Sequence, residues 1–196
     1  EIGEDEDGVD TYVYEPVSPV PSRGGRLLHL GRLAPGPIDL SRHCARGDTL
    51  HYLTEPLEQV VDVVGAVSMT LRVSLDRHDG DLFVRLVDRH ADGRMLPVAE
   101  GNTRIRFRDD LTTARPLPPG ETAVITVDLG NTAQRFQVGH QLGVLVTSSN
   151  FPHIDRNLDL APGGATAAVD PLPVTVRLHT AGSTLTLDIL PGERTR

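Results

Sequence analysis

Met69-Thr70-Leu71-Arg72-Val73-Ser74-Leu75-Asp76 alternates apolar and polar side chains without a break. A period of two puts one row of side chains on a core and the other in water, which is a half-buried β-strand. Working outward, His78-Asp79-Gly80-Asp81 reads as a turn, and Leu82, Val84 and Leu86 resume the alternation. Ala91-Asp92-Gly93-Arg94 carries the Asp-Gly hairpin signal. Met95 to Ala99 follows, then Ile105 and Phe107, a loop from Pro116 to Gly120, and a strand from Glu121 to Leu129 with Ala123, Ile125 and Val127 on one face. Leu142 to Thr147, Val174 to Leu178 and Leu185 to Leu190 complete that series. Upstream, Leu50 to Leu53 is strand-like, Val60 to Val64 is apolar enough to be buried on both faces, and Tyr12-Val13-Tyr14 is a short β-run halted by Pro16, Pro19 and Pro21. No window of about ten residues shows a helical stripe. Roughly nine to eleven short strands at this spacing predict an all-β sandwich or jelly roll. Residues 1–10 read as an acidic lead-in from an upstream domain, and 11–196 as one domain.

Composition narrows the function. The 196 residues include 15 Pro and 19 Gly, no Trp and only 4% aromatics, so the core must be aliphatic. The net charge of −8 argues against a nucleic-acid partner, because phosphate contacts need a basic face. All 19 basic residues are Arg, as a GC-rich coding bias would produce. Cys44 is alone, which excludes an intrachain disulfide or a thiolate cluster. No apolar run is long enough for a helical membrane span. The chain opens on Glu1 rather than Met, as a processed chain or a piece of a longer reading frame would. The lone cysteine and the lack of a leader lean towards the cytoplasm, which the sequence does not fix.

The search for chemistry ends mostly in exclusions. No Gly-x-Ser-x-Gly elbow occurs, and the strand–helix alternation of an α/β-hydrolase is missing. Ser149, His153 and Asp155 are neighbours in sequence, whereas triad members come from separated segments, so a hydrogen-bonded loop is the better reading. Asp79, Asp81, Asp88 and Asp92 flank two turns and lack the spacing of a calcium loop. The eight histidines (His29, His43, His51, His78, His90, His140, His153 and His179) show no metal-ligand spacing. Neither cofactor nor metal is expected. Arg104, Arg106 and Arg108 would share one strand face, opposite Ile105 and Phe107. That row is either a solvated or internally paired face, for instance with Asp81 or Asp88, or a docking surface for an acidic partner.

Several blocks carry a resemblance beyond periodicity. Tyr14-Glu15-Pro16-Val17-Ser18-Pro19-Val20-Pro21-Ser22-Arg23-Gly24-Gly25 and Asp48-Thr49-Leu50-His51-Tyr52-Leu53-Thr54-Glu55-Pro56-Leu57 come first. Val63-Val64-Gly65, Gly80-Asp81-Leu82-Phe83 through Asp88, Asp92-Gly93, and Gly101-Asn102-Thr103-Arg104-Ile105-Arg106-Phe107-Arg108 follow. Phe136-Gln137-Val138-Gly139-His140-Gln141-Leu142 runs on to Ser148-Ser149-Asn150-Phe151-Pro152-His153-Ile154-Asp155-Arg156-Asn157. In this order they resemble the C-terminal domain of the serine hydrolase family of cocaine esterase, α-amino-acid ester hydrolases, glutaryl acylases and Xaa-Pro dipeptidyl-peptidase. Gly36-Pro37-Ile38-Asp39-Leu40 and Asn157-Leu158-Asp159-Leu160 depart from the family pattern.

The resemblance implies a jelly-roll β-sandwich, galactose-binding-domain-like, packed on an α/β-hydrolase domain and a helical cap of the same polypeptide. It implies that the Ser-Asp-His triad lies in that other domain, so no catalytic residue is assigned here. It also implies that the jelly roll supports the cleft and takes part in an oligomer interface. Arg104, Arg106, Arg108, His140, Ser149, Asn150, Phe151, Arg156 and Asn157 are the structural or interdomain candidates. Ser148 to Asn157 is expected to be a latch, with Asn150 and Asp155 capping local backbone groups, Phe151 inserting apolar surface and Arg156 bracing the loop. The competing reading is a free-standing carbohydrate- or ligand-binding module, for which the chain has few aromatic rings to offer.

Overall fold

The computed structural model describes residues 8–26, 35–158 and 171–191. These contain eight strands: β1 (Val9–Tyr14), β2 (Thr49–Leu53), β3 (Val61–Leu75), β4 (Asp81–Arg89), β5 (Met95–Arg104), β6 (Thr122–Phe136), β7 (Gln141–Thr147) and β8 (Val174–Ile189). They form two antiparallel sheets, ordered β1-β8-β3-β6 and β2-β7-β4-β5. Every connection except the β4–β5 hairpin crosses from one sheet to the other. That is the topology of a jelly roll.

The alternation in sequence becomes two faces. Met69, Leu71, Val73 and Leu75 of β3 meet Ile125, Val127 and Leu129 of β6, Leu82, Val84 and Leu86 of β4, and Val144 and Val146 of β7 in one core. Tyr12, Tyr14 and Phe136 add the large side chains that an aliphatic core lacks. The outward row of β4 is buried as well, because residues 35–48 lie over that sheet. Helix α1 (Ser41–Cys44) follows Leu40, which joins Val87, Met95 and Leu145 in a second cluster. Leu40 N–H donates to Met95 O at 2.8 Å, tying this cover to β5. At one edge β5 presses on β6 so closely that a Cβ on Gly101 would lie 2.0 Å from the Asp128 carbonyl oxygen.

Several expectations change. The strands are fewer and longer: the expected runs at Val60–Val64 and Met69–Leu75 merge into β3 (Val61–Leu75), and those at Val174–Leu178 and Leu185–Leu190 merge into β8 (Val174–Ile189). Val60 and Val64 are exposed rather than buried on both faces. β4 is buried on both faces rather than half-buried. Arg104, Arg106 and Arg108 do not share a strand face, because β5 ends at Arg104 and Ile105–Phe107 form a 3-10 turn. β1 begins at Val9. His29 lies outside the described residues, as do residues 1–7 of the acidic lead-in.

Candidate functional site

Beyond β7 the chain turns back across the Pro-rich segment, and several polar groups of residues 148–156 are spent on that contact. Ser148 Oγ and the buried Tyr12 hydroxyl are 2.8 Å apart. Ser149 Oγ accepts from Val20 N–H at 2.8 Å. Ser22 Oγ donates to Asn150 O at 2.7 Å and accepts from His153 N–H at 2.9 Å. Phe151 N–H donates to Val20 O, and Ser22 N–H donates to Phe151 O. Arg156 Nη1 donates to Pro16 O at 2.7 Å, with its guanidinium 5.3 Å from the centre of the Phe151 ring. Burial pushes the Tyr14 hydroxyl, under the same strap, up to about 12. Two expected details differ. Phe151 is 38% exposed and is no core plug, and the Asn150 side chain accepts from Arg85 Nη2 at 3.0 Å instead of capping local backbone.

The arginine row is drawn into the domain. Arg104 grips Asp81 with two prongs, at 2.9 and 3.0 Å. Arg106 donates to Asp79 through its backbone N–H at 2.8 Å and its guanidinium at 2.9 Å. Asn157 Nδ2 bridges both carboxylates, 2.9 Å from Asp79 and 2.8 Å from Asp81. Arg108 donates to the carbonyls of Ile105 and Arg115. Burial raises the Asp81 carboxyl above the usual range, against the opposing pull of Arg104 and Asn157. These acids therefore serve ion pairing and not a calcium loop. Of the two readings of the row, internal pairing is the one observed.

Sequence reading missed a second buried pair. Arg85 (2% exposed) and Glu100 (5% exposed) face each other across the β4–β5 hairpin at 2.9 Å. Arg85 also stacks 4.7 Å from the Phe83 ring. The other Glu100 oxygen accepts from Arg26 N–H at 2.8 Å. Gly25 makes that approach feasible: its φ is 65°, and a Cβ there would lie 2.4 Å from the Glu100 carboxylate. A charge inside the apolar run Leu82-Phe83-Val84-Arg85-Leu86-Val87 was the available signal. Beside it, His43 Nε2–H donates to Pro21 O at 3.0 Å, and burial holds its imidazole below the ordinary 6.5.

His140 lies at the opposite end of the sandwich. Its Nδ1 is 2.8 Å from Asp88 Oδ1, and its ring centre is 4.3 Å from that of His90.

None of this makes a nucleophile. Ser149 is buried and holds Val20 N–H. Among the described residues a serine hydroxyl does meet an imidazole at Ser74 and His179, but at 3.4 Å and with no carboxylate ion-paired to the ring. The adjacent Ser149, His153 and Asp155 do not assemble into a relay.

Comparison with known proteins gives a consistent picture. The profile of the X-Pro dipeptidyl-peptidase C-terminal non-catalytic domain matches residues 4–183. Cocaine esterase of Rhodococcus sp. (strain MB1 Bresler) is 41% identical over 152 residues, covering 77% of this chain and 26% of that protein. The crystal structure of an aminopeptidase from the marine sediment archaeon Thaumarchaeota archaeon superposes with a TM-score of 0.84 at 25% identity, covering 97% of this chain and 34% of that one. An α-amino acid ester hydrolase gives 0.83 at 26% identity, covering 96% and 33%. The chain thus spans about a quarter to a third of the length of these relatives.

Proposed function

Because the chain belongs to the family of X-Pro dipeptidyl-peptidase C-terminal non-catalytic domains, we propose that it packs against the catalytic domain of an ester or amide serine hydrolase and supports its cleft. The observation that carries this reading is an asymmetry of cover. The outer face of β2-β7-β4-β5 is roofed by residues 35–48 of the chain itself. The outer face of β1-β8-β3-β6 presents Val9 and Val13 from β1 and Val124 from β6 to solvent. Register places Val9, His179, Arg72 and Val124 in one row, with Thr11, Arg177, Ser74 and Thr122 in the next. A face on which valine, threonine and serine mix with Arg72, Arg177 and His179 suits an interdomain contact, which is more polar than a core. Arg104, Arg106 and Arg108 are spent internally and are no part of the proposed contact.

The three tyrosines, at 12, 14 and 52, are buried or half-buried, so none provides the exposed ring a sugar platform uses. The experiment is carbene footprinting of this chain alone and of the polypeptide in which it follows a Gly-x-Ser-x-Gly hydrolase domain. Val9, Val13 and Val124 lose label in the longer protein if the reading is right. Unchanged labelling at all three contradicts it.

A further inference from the structure

We propose that Asp88, His90 and His140 form a binding site for a divalent transition cation of the zinc class. Asp88 is the last core-facing position of β4, following Leu82, Val84 and Leu86 on that row. It is a carboxylate at the end of an aliphatic core, only 3% exposed. A buried acid needs partners, and those it has come from other elements. Oδ1 faces His140 Nδ1 at 2.8 Å, from the β6–β7 turn. Oδ2 accepts from Gln134 Nε2 of β6 at 3.2 Å and faces His90 Nε2 at 3.7 Å, from the β4–β5 turn. One ligand atom from each of the three residues lies within 4.8 Å of the others.

Donor atoms on a tetrahedral zinc sit about 3.3 Å apart, from Zn–N and Zn–O lengths of about 2.0–2.2 Å. The two distances to the carboxylate straddle that value, so small side-chain rotations close the site. The backbone under it is already fixed. His90 N–H donates to Arg94 O, Gly93 N–H to His90 O, His140 N–H to Gln137 O, and Leu57 N–H to His140 O. Two imidazoles and one carboxylate select Zn2+, Cu2+, Ni2+ or Co2+ over Mg2+ and Ca2+, which prefer all-oxygen shells. Gln134 holds the carboxylate as an outer partner would. A cation here staples the β4–β5 hairpin to the β6–β7 turn, one a connection within a sheet and the other a crossing between the two sheets. Both histidines remain partly open to solvent, so the ion has a path in and a coordination position left for water.

The test uses chelator-treated protein titrated with Zn2+. Tm rises and saturates at one ion per chain, while Mg2+ leaves it unchanged. His90→Ala, at the more exposed ligand, keeps the metal-free Tm and weakens Zn2+ binding by more than about 100-fold, since even outer partners of a metal site contribute 10–100-fold. Co2+ gives a second reading independent of stability: a visible d–d spectrum that is lost in His90→Ala and in His140→Ala. A wild-type Tm that ignores Zn2+, or a zinc response and a cobalt spectrum retained in both variants, overturns the site.

Discussion

Arg85 and Glu100 show how much one pair can decide. Each is almost fully enclosed, and burial pulls the Arg85 guanidinium below the usual range for arginine. Removing one partner leaves the other charged and desolvated, which costs about 3–5 kcal/mol, whereas replacing both by apolar groups is often neutral or favourable. Glu100→Gln is therefore expected to lower unfolding stability by about 3–5 kcal/mol, and Arg85→Met with Glu100→Leu to recover most of it. Urea denaturation of the three proteins checks this; a Glu100→Gln curve that overlays the wild type contradicts it. The pairing itself was within reach of the sequence. The β4–β5 hairpin turning at Asp92-Gly93, with a one-residue register shift between Leu86 and Val87, sets Arg85 opposite Glu100 and Asp81 opposite Arg104. Its burial was not, because the cover comes from the Pro-rich strap and residues 35–48, and no local pattern says where an irregular segment lies.

At the scale of elements, the long strands share one device. β3, β6 and β8 each run through an irregularity, and a side-chain oxygen there takes over a backbone N–H. Asp188 Oδ2 accepts from Ala66 N–H where β3 bulges against β8. Asp128 Oδ1 accepts from Gly130 N–H where Leu129 of β6 lacks a partner opposite β3. Ser183 Oγ accepts from Arg72 N–H where residues 180–183 of β8 slip out of register. Sequence reading broke β3 and β8 in two and stopped β6 early at these places, since Gly65, Gly130 and Gly182 look like turns. The alternating stretches on either side were legible because half-burial forces period two.

The latch between residues 148–157 and the strap is the element whose energetics the structure redistributes. Val20 N–H is satisfied by Ser149 Oγ in a buried setting, and an orphaned buried donor costs about 1–3 kcal/mol. Phe151, 38% exposed, forfeits less than a core ring would. Ser149→Ala should then destabilise by about 1–3 kcal/mol and Phe151→Ala by only about 1 kcal/mol. Differential scanning calorimetry decides the order; a larger loss at Phe151 would return the ring to the role of core plug.

For the whole molecule, strand alternation and motif order point to a jelly-roll sandwich, and the two antiparallel sheets agree with that class, built from fewer and longer strands than expected. The placement of groups across the fold is what a linear reading cannot supply. Ser149, His153 and Asp155 are close in sequence and chemically unconnected, while Asp88, His90 and His140 are brought together by the β4–β5 hairpin and the β6–β7 crossing. Stability and function also separate at this scale. The buried ion pairs and the strap hold the domain, and the outer face of β1-β8-β3-β6, where Val9, Val13 and Val124 are exposed, is where we place its partner. Our central proposal is that this chain is a non-catalytic domain and that the nucleophile belongs to another part of its polypeptide. The most direct measurement exposes the isolated chain to a fluorophosphonate serine probe and to a nitrophenyl ester and an Xaa-Pro anilide. The account predicts no covalent label and no turnover above buffer; labelling at Ser149 with turnover abolished by Ser149→Ala would contradict it.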